Sequence, residues 1–174
     1  MNPAHTEKLV DGTVVQVRPI NRDDVERERE FVEGLSPETK HYRFLGGIGH
    51  LSESQLLSFC DIDLQHEMAF VALVKGKTGD KQVGVARYVA DPKNQEAEIA
   101  ITVADPYAGK GLDRILLDHL MNYARNFGMT RLFSVELAEN AGMKKLMRQS
   151  GFRSVRDPDD ATQVIYSLDL SKQV

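Results

Sequence analysis

The chain has 174 residues and is poor in three features: it has a single cysteine, no long apolar run and no excess of positive charge. One thiol, Cys60, cannot form an internal disulfide, which agrees with a reducing cytoplasm. The longest apolar stretches, such as residues 68–74, are far shorter than the ~20 residues of a membrane-spanning helix, so we expect no membrane partner. Residues 1–5 lack a charged-then-apolar signal pattern, and we therefore expect no export.

Charge balance and composition limit the classes of function. With 22 Lys plus Arg against 26 Asp plus Glu, the net charge of −4 argues against nucleic acid as a partner. Hydrophobic residues make up 41% of the chain and charged residues 28%, as in ordinary globular proteins. A chain of this length is expected to bury about 70% of its unfolded surface, so we predict one domain over residues 8–170.

The first half of the chain predicts one strand followed by helices. Residues 13–20 are rich in β-branched side chains, which is typical of a strand. Helix starts follow at Asn21, at Ser36 before a proline, and at Ser52, where Gln55 three residues later completes a capping box.

The middle of the chain predicts paired strands. Residues 68–75 and 82–90 are predicted strands joined by a hairpin turn at 76–80. Residues 91–94 form a second predicted turn, and residues 97–104 form the next strand.

The last third begins with the clearest helix, which Gly128 is expected to end. Its apolar side chains follow the 3.6-residue period: Leu112, Ile115, Leu116, Leu120, Tyr123, Ala124 and Phe127. A strand at 131–137, a helix at 140–150 and a strand at 162–170 complete the order β-α-α-β-β-β-α-β-α-β. This order predicts an α+β fold with a mixed, mostly antiparallel central sheet flanked by helices, and neither a Rossmann fold nor a barrel.

Residues 103–117 carry the strongest functional signal, because a strand there runs through glycines into the long helix. Gly109 and Gly111 let the backbone approach a ligand, and the first helical turn offers free N–H groups that suit a phosphate. Lys110 and Arg114 lie in the first helical turn, where the helix dipole disfavours cations. A bound diphosphate would make cations favourable there. The alternative is a plain turn with Arg114 paired to Asp118. The loop is neither a Walker A sequence nor G-x-G-x-x-G, which argues against a nucleotide site.

This strand, loop and helix resemble the acyl-CoA-binding motif of the GNAT superfamily of N-acetyltransferases, written Q/R-x-x-G-x-G/A. Gly111 matches the central glycine, whereas Ala108 stands for Gln or Arg and Asp113 for Gly or Ala. The resemblance implies a GNAT-like fold that binds acetyl-CoA. The residues it implies for the cofactor are Val103, Ala108, Gly109, Lys110, Gly111, Leu112, Asp113, Arg114 and Asn140.

Further segments extend the resemblance over nearly the whole chain. Asn140 with Leu146 and Gly151-Phe152 is similar to the family's N-x-x-x-x-x-L-Y-x-x-x-G-F element, whose Asn contacts the pantetheine or the amine site. Residues 36–44 (SPETKHYRF) and 84–89 (GVARYV) resemble Pat-like bacterial protein lysine acetyltransferases. The resemblance therefore implies direct acetyl transfer to a primary amine, either a protein lysine or a small molecule.

Glu98 is the candidate general base, since an amine that is protonated at neutral pH must lose a proton before it attacks. Alternation places Glu98, Ala100 and Thr102 on one face of their strand, and burial there would make a carboxylate a stronger base. About 20 Å of strand separates Glu98 from the glycine loop, which is comparable to the length of a pantetheine arm. Pat-like enzymes carry their catalytic Glu in a similar A-E-[IV]-A segment. The alternatives are a solvated side chain or an ion pair with Arg87.

Other polar residues receive plainer interpretations. Many GNAT enzymes use a Tyr as the general acid that protonates the departing thiolate, and Met147 stands at that position. We predict that Met147 packs in the core. The proton would then come from Tyr107 or water, or the thiolate would leave unprotonated. Two interpretations of Tyr42 and Arg43 stay open. Either both line the acceptor site, or Tyr42 packs in the core and Arg43 lies on the surface. Cys60 is predicted to be buried. The five histidines lack metal-binding context, so we predict no metal. The alternative function is a non-catalytic acyl-CoA-binding regulatory module, which Ala108, Asp113 and Met147 favour.

Overall fold

The computed structural model describes residues 4–46, 50–91, 93 and 95–171. Within them the chain forms an eight-stranded sheet and five α-helices. The strands are β1 (His5–Lys8), β2 (Val14–Pro19), β3 (Glu67–Lys75), β4 (Asp80–Asp91), β5 (Glu96–Val103), β6 (Arg131–Leu137), β7 (Arg153–Arg156) and β8 (Gln163–Asp169). The helices are α1 (Val25–Glu33), α2 (Pro37–Arg43), α3 (Glu53–Cys60), α4 (Leu112–Asn126) and α5 (Ala141–Gln149).

The described sheet is antiparallel except at one pair of strands. Its order is β1-β2-β3-β4-β5-β6-β8-β7. β5 and β6 run parallel, because α4 crosses between them and returns the chain to the same end of the sheet. Their pairing covers three positions, residues 96–98 opposite 131–133. This mixed, mostly antiparallel sheet with helices on both faces confirms the predicted fold class.

The sheet separates two hydrophobic cores. α4 and α5 cover the larger one, and α1 and α3 cover the smaller one. β3 serves both, because Phe70 and Ala72 face the larger core while Val71 and Leu73 face the smaller. Each fully buried Leu or Phe contributes about 1.5–3 kcal/mol through burial. α4 has 15 residues, and no helix in the described part of the chain is long and apolar enough to cross a lipid bilayer.

Side-chain caps lie at the three helix starts that the sequence predicts, although the first caps a 3₁₀ turn and not α1 itself. The Asn21 side chain accepts from the backbone N–H of Asp23 and opens a 3₁₀ turn (Arg22–Asp24) that leads into α1. Ser36 caps α2, and Ser52 forms the predicted capping box with Gln55 at α3. The predicted order counts two helices before β3, but all three starts produce helices.

The structure adds two strands that the sequence analysis missed. β1 and β7 lie at the two edges of the sheet, and β7 is exposed at all four residues. Neither has the buried alternating pattern that predicts a strand, since an edge strand is ordered mainly by its neighbour. The ordered sheet therefore begins at His5, before the domain boundary predicted at Lys8.

The first of the two predicted turns is confirmed. The hairpin between β3 and β4 closes with the N–H of Gly76 donating to the carbonyl of Gly79 at 2.9 Å. Lys75 and Asp80 add an ion pair across it at 2.8 Å. The second predicted turn includes Pro92 and Asn94, which lie outside the described residues.

Candidate active site

A groove lies where β5 and β6 diverge. The two strands pair up to Glu98 and Phe133, and beyond that point their register ends. β5 remains bound to β4 as far as Val103, while β6 remains bound to β8 as far as Leu137. The facing edges of β5 and β6 therefore form the two walls of an open wedge. α2 and the start of α5 complete the lining.

Glu98 lies where the wedge begins. Ile99 and Ile101 are buried on the opposite side of the strand, which confirms the predicted alternation. Glu98 itself is exposed, which is the arrangement that the solvated alternative predicts. The alternative partner, Arg87, lies within 3.6 Å of Glu28 and stacks over the ring of Phe59. Glu98 thus faces the groove and solvent.

The glycine loop lies at the other end of β5. Gly109 and Gly111 have φ angles of +72° and +84°, a left-handed conformation that side chains with a Cβ rarely adopt. Gly111 is the N-cap residue of α4, and no side chain of the described residues caps the helix there. The first turn of α4 therefore receives no side-chain cap from its N-cap residue, and its backbone N–H groups can bind an anion.

The cations of the loop are held by neighbouring acids. Lys110 contacts Asp11 at 2.8 Å, and Arg114 contacts Asp118 at 2.9 Å. The hydrogen bond from Lys110 holds the pKa of the Asp11 carboxyl below its usual range. The Arg114–Asp118 pair is the one that the plain-turn alternative predicts. Exposed pairs of this kind contribute between 0 and about 1 kcal/mol, so a diphosphate would compete with them readily.

The remaining predicted loop residues have distinct places. Asp113 lines the groove, and its carboxylate accepts the N–H of Arg114 at 2.9 Å, which occupies one first-turn donor. Ala108 is exposed, and its N–H donates to the carbonyl of Asp105. Val103 lines the groove, whereas the Leu112 side chain is fully buried and anchors α4 in the larger core.

Asn140 combines a structural and a groove-lining position. Its side-chain oxygen accepts from the N–H of Met143 at 3.0 Å and caps α5, and the residue lines the groove. Met147 is fully buried in the larger core, which confirms its predicted packing role. Tyr107 packs against the same core beneath Lys110 and is not among the residues that line the groove.

α2 is tied to the loop that precedes the glycines. Asp105 accepts hydrogen bonds from the N–H of Ser36 at 3.0 Å, from the Ser36 hydroxyl at 2.7 Å and from the Thr39 hydroxyl at 2.8 Å. These bonds lower the pKa of Asp105 against the opposing effect of its desolvation. One carboxylate thus fixes the helix that covers the groove relative to the loop that begins α4.

Tyr42 and Arg43 project from α2 into the lining of the groove. Tyr42 donates to Glu38 at 3.2 Å, and desolvation together with this bond raises its pKa. Desolvation and the nearby charge of Arg87 lower the pKa of Arg43 to about 10. The groove-lining interpretation of both residues is therefore the one that the structure supports.

Glu136 is a groove residue that sequence reasoning missed. It lies on β6, is 7% exposed, and accepts a hydrogen bond from the Ser134 hydroxyl at 2.6 Å. Desolvation and the charge of Glu98 raise its pKa to about 7 against the effects of Ser134 and Arg43. A carboxylate inside the strand sequence RLFSVEL was the available signal. Among the described residues, no group of three or more His, Cys, Asp or Glu side chains is arranged to hold a metal ion.

Thr102 provides a test of whether the groove fits an acyl-CoA arm. It lines the groove and is 5% exposed, and its hydroxyl oxygen finds no hydrogen-bond partner in the described part of the chain. Buried hydroxyls left unpaired are costly, so a polar ligand here would satisfy this one. The amides and hydroxyl of a pantetheine arm are groups of the required kind.

Comparison with known proteins agrees with this architecture. The model of the acetyltransferase (GNAT) family matches residues 35–152, and the chain belongs to this family. The chain is 46% identical to acetyltransferase PA5475 of Pseudomonas aeruginosa, over 94% of this chain and 88% of that protein. It is 30% identical to acetyltransferase Pat of Mycolicibacterium smegmatis, over 84% of this chain and 43% of Pat, so it spans less than half of that relative.

Solved structures give the same result for the fold. The GNAT domain of S. lividans PAT superposes with a TM-score of 0.88 at 29% identity, covering 97% of this chain and 99% of that one. A cAMP-binding acyltransferase from Mycobacterium smegmatis superposes with a TM-score of 0.66 at 25% identity, covering 97% of this chain but 47% of that one. The chain is thus a GNAT acetyltransferase domain with Pat-like relatives.

Proposed function

We propose that residues 8–170 form an acetyl-CoA-dependent N-acetyltransferase domain that transfers an acetyl group to a primary amine. The observation that carries the proposal is the wedge between β5 and β6, which has the glycine loop near one end and Glu98 near the other. Family membership supports the reaction class. The buried Cys60 is consistent with a cytoplasmic protein.

The groove suits an extended thioester cofactor at both ends. The N–H groups that begin α4 would hold the diphosphate, with Lys110 and Arg114 contributing once they leave their acidic partners. The unpaired edge of β5 and the Thr102 hydroxyl would hold the amide-containing arm beside the strand. Asn140, at the start of α5, would contact the arm or the amine from the opposite wall.

Glu98 is assigned as the general base. An alkylammonium acceptor loses a proton to this carboxylate, directly or through a water, and the freed nitrogen then attacks the acetyl carbon. The carbon–nitrogen bond forms, the carbon–sulfur bond breaks, and sulfur leaves with the electron pair. Bound acetyl-CoA supplies the activated acyl group, so no covalent intermediate on the protein is required. The exposure of Glu98 at the groove suits a proton that must reach solvent.

The acceptor is a protein lysine or a small amine. The similarity to Pat and to the PAT domain of S. lividans favours a protein lysine. A shared fold does not fix a substrate, and an acceptor screen is therefore the decisive experiment. Coenzyme A release from acetyl-CoA is measured with a panel of lysine peptides and small amines. Acetylation of at least one acceptor is expected, and absence of release with every acceptor would contradict the proposal.

A non-catalytic acyl-CoA-binding module is the second candidate. Asp113 favours it, because its carboxylate lines the groove where it would repel a nearby anion. Calorimetry with acetyl-CoA tests the premise that both candidates share. Binding without thiol release for any acceptor would support the module, whereas binding with release supports the enzyme.

A further inference from the structure

Three buried carboxylates in the described part of the chain differ in their partners. Asp24 is held by Arg18 and Arg27 at 2.7 and 2.9 Å. Glu28 accepts from Gln82 and lies 3.6 Å from Arg87. Both are internal pairs away from the groove. Glu136 has one hydroxyl donor, Ser134, and it lines the groove. Glu136 therefore differs from the other two carboxylates, because it faces a groove and no arginine is within ion-pair distance of it among the described residues.

The groups around Glu136 come from five elements. Ser134 lies two residues earlier on β6, Arg43 reaches it from α2, and Glu98 acts on it from β5. Desolvation and the charge of Glu136 raise the pKa of Tyr166 on β8. Apolar side chains of α5 line the same groove. This environment raises the pKa of Glu136 to about 7, mainly through desolvation. A carboxyl group with such a pKa can both accept and donate protons near neutral pH.

The proposed acetyl transfer leaves one proton transfer without an assigned residue. An alkylammonium must lose two protons to become an amide, while the departing thiolate gains one. Glu98 accounts for the first proton. Met147 stands where the family's acidic Tyr would lie, and it is fully buried with no ionisable group. Tyr107 does not line the groove. Glu136 is the ionisable groove residue that remains on the β6 wall.

We propose that Glu136 is a second catalytic acid–base residue, which carries the proton released by the nitrogen to the departing sulfur. As the carbon–nitrogen bond forms, the cationic nitrogen gives its proton to the Glu136 carboxylate. As the carbon–sulfur bond breaks, the carboxyl group gives that proton to the thiolate, and Glu136 returns to its starting form. The inference rests on the proposed acetyl transfer and adds a residue to it.

The test is the pH dependence of coenzyme A release by wild type and matched variants. In wild type, kcat/KM should rise with pH through about 7, because Glu136 must be ionised to accept a proton. Glu136→Gln should lower kcat at least 10-fold, leave the KM for acetyl-CoA within about 2-fold, and remove this ionisation from the profile.

Two further variants separate catalysis from structure. Ser134→Ala removes a hydrogen bond that lowers the pKa of Glu136, so the same limb should move to higher pH while activity is retained above it. Glu28→Gln changes a buried carboxylate outside the groove and should leave the limb in place even if stability falls. A merely structural Glu136 would not produce this pattern.

The outcomes distinguish the two proposals. An active wild type whose kcat and pH limb are unchanged in Glu136→Gln would overturn the role of Glu136 and leave the acetyltransferase intact. A limb that stays fixed in Ser134→Ala would also overturn it. A wild type that releases no coenzyme A with any acceptor would overturn the proposed function and the inference together.

Discussion

The two ends of the groove use different chemistry. At the glycine end the proposed binding groups are main-chain amides, and the nearby cations Lys110 and Arg114 are paired with Asp11 and Asp118. Between that end and Glu98 the proposed acid–base groups are side chains, and Glu136 is buried without an ion-pair partner within the described residues. The proposed binding thus depends on backbone shape, whereas the proposed proton transfer by Glu136 depends on its desolvation.

The largest effect is expected from a substitution of the proposed base. Glu98→Gln removes the proposed base but preserves the volume of the side chain. Turnover should fall about 10²–10⁴-fold, while the acetyl-CoA affinity measured by calorimetry stays nearly constant. Glu30→Gln, on the exposed face of α1, is the matched control and should keep wild-type rates. Unchanged turnover in Glu98→Gln would remove Glu98 from the mechanism.

The buried carboxyl group of Glu136 should make the free energy of unfolding depend on pH. Burial raises the pKa of Glu136 from 4.5 to about 7, so between these values the folded chain holds a proton that the unfolded chain has released. The free energy of unfolding should therefore fall with rising pH across this window, by up to about 3 kcal/mol. Glu136→Gln should lack this loss.

Urea denaturation from pH 4.5 to 8 measures the effect. The stability difference, variant minus wild type, should increase between pH 4.5 and 7 and then level off. The Glu30→Gln control should show a flat difference over the same window. A flat difference for Glu136→Gln would mean that this carboxyl group ionises normally in the folded chain.

A substitution in the glycine loop tests whether its backbone shape is needed for acetyl-CoA binding. Gly111→Ala places a Cβ at φ +84°, which costs about 1–2 kcal/mol and deforms the loop whose amides bind the anion. Acetyl-CoA affinity should drop about 10-fold, with less effect on turnover at saturation. Gly128→Ala is the matched control, because it carries a similar φ of +85° just beyond the other end of α4. Equal affinity loss in both variants would show that strain alone is responsible.

The smallest effect is expected from removing the carboxylate near the glycine loop. Asp113→Ala removes a carboxylate that lines the groove and frees the N–H of Arg114. Acetyl-CoA should bind about 2- to 5-fold more tightly at low salt, and the gain should shrink as ionic strength rises. Weaker binding in this variant would indicate that Asp113 stabilises the loop more than it repels the ligand.

The sequence predicted the main-chain end better than the side-chain end. Gly109 and Gly111 are visible as a pattern, since the left-handed backbone they adopt is a local property. β5 was predicted within a residue at each end because its buried residues alternate. Glu136 was missed, and the burial of Glu98 was left open, because burial depends on how β5 and β6 diverge. That divergence is a property of the assembled sheet.

The edges of the fold follow the same rule. β1 and β7 carry no apolar alternation of their own and are ordered by β2 and β8, so local pattern could not predict them. Asp105, which ties α2 to the glycine end, was missed because its partners Ser36 and Thr39 are more than 60 residues distant in the chain. Local signals predict elements, whereas long-range contacts complete the site.

A crystal structure of the protein with acetyl-CoA tests the central claim most directly. The diphosphate should contact the N–H groups at the start of α4, the arm should lie along β5 beside Thr102, and the thioester should lie near Glu98. A cofactor bound elsewhere, or a wedge between β5 and β6 that stays empty at saturating acetyl-CoA, would contradict the account.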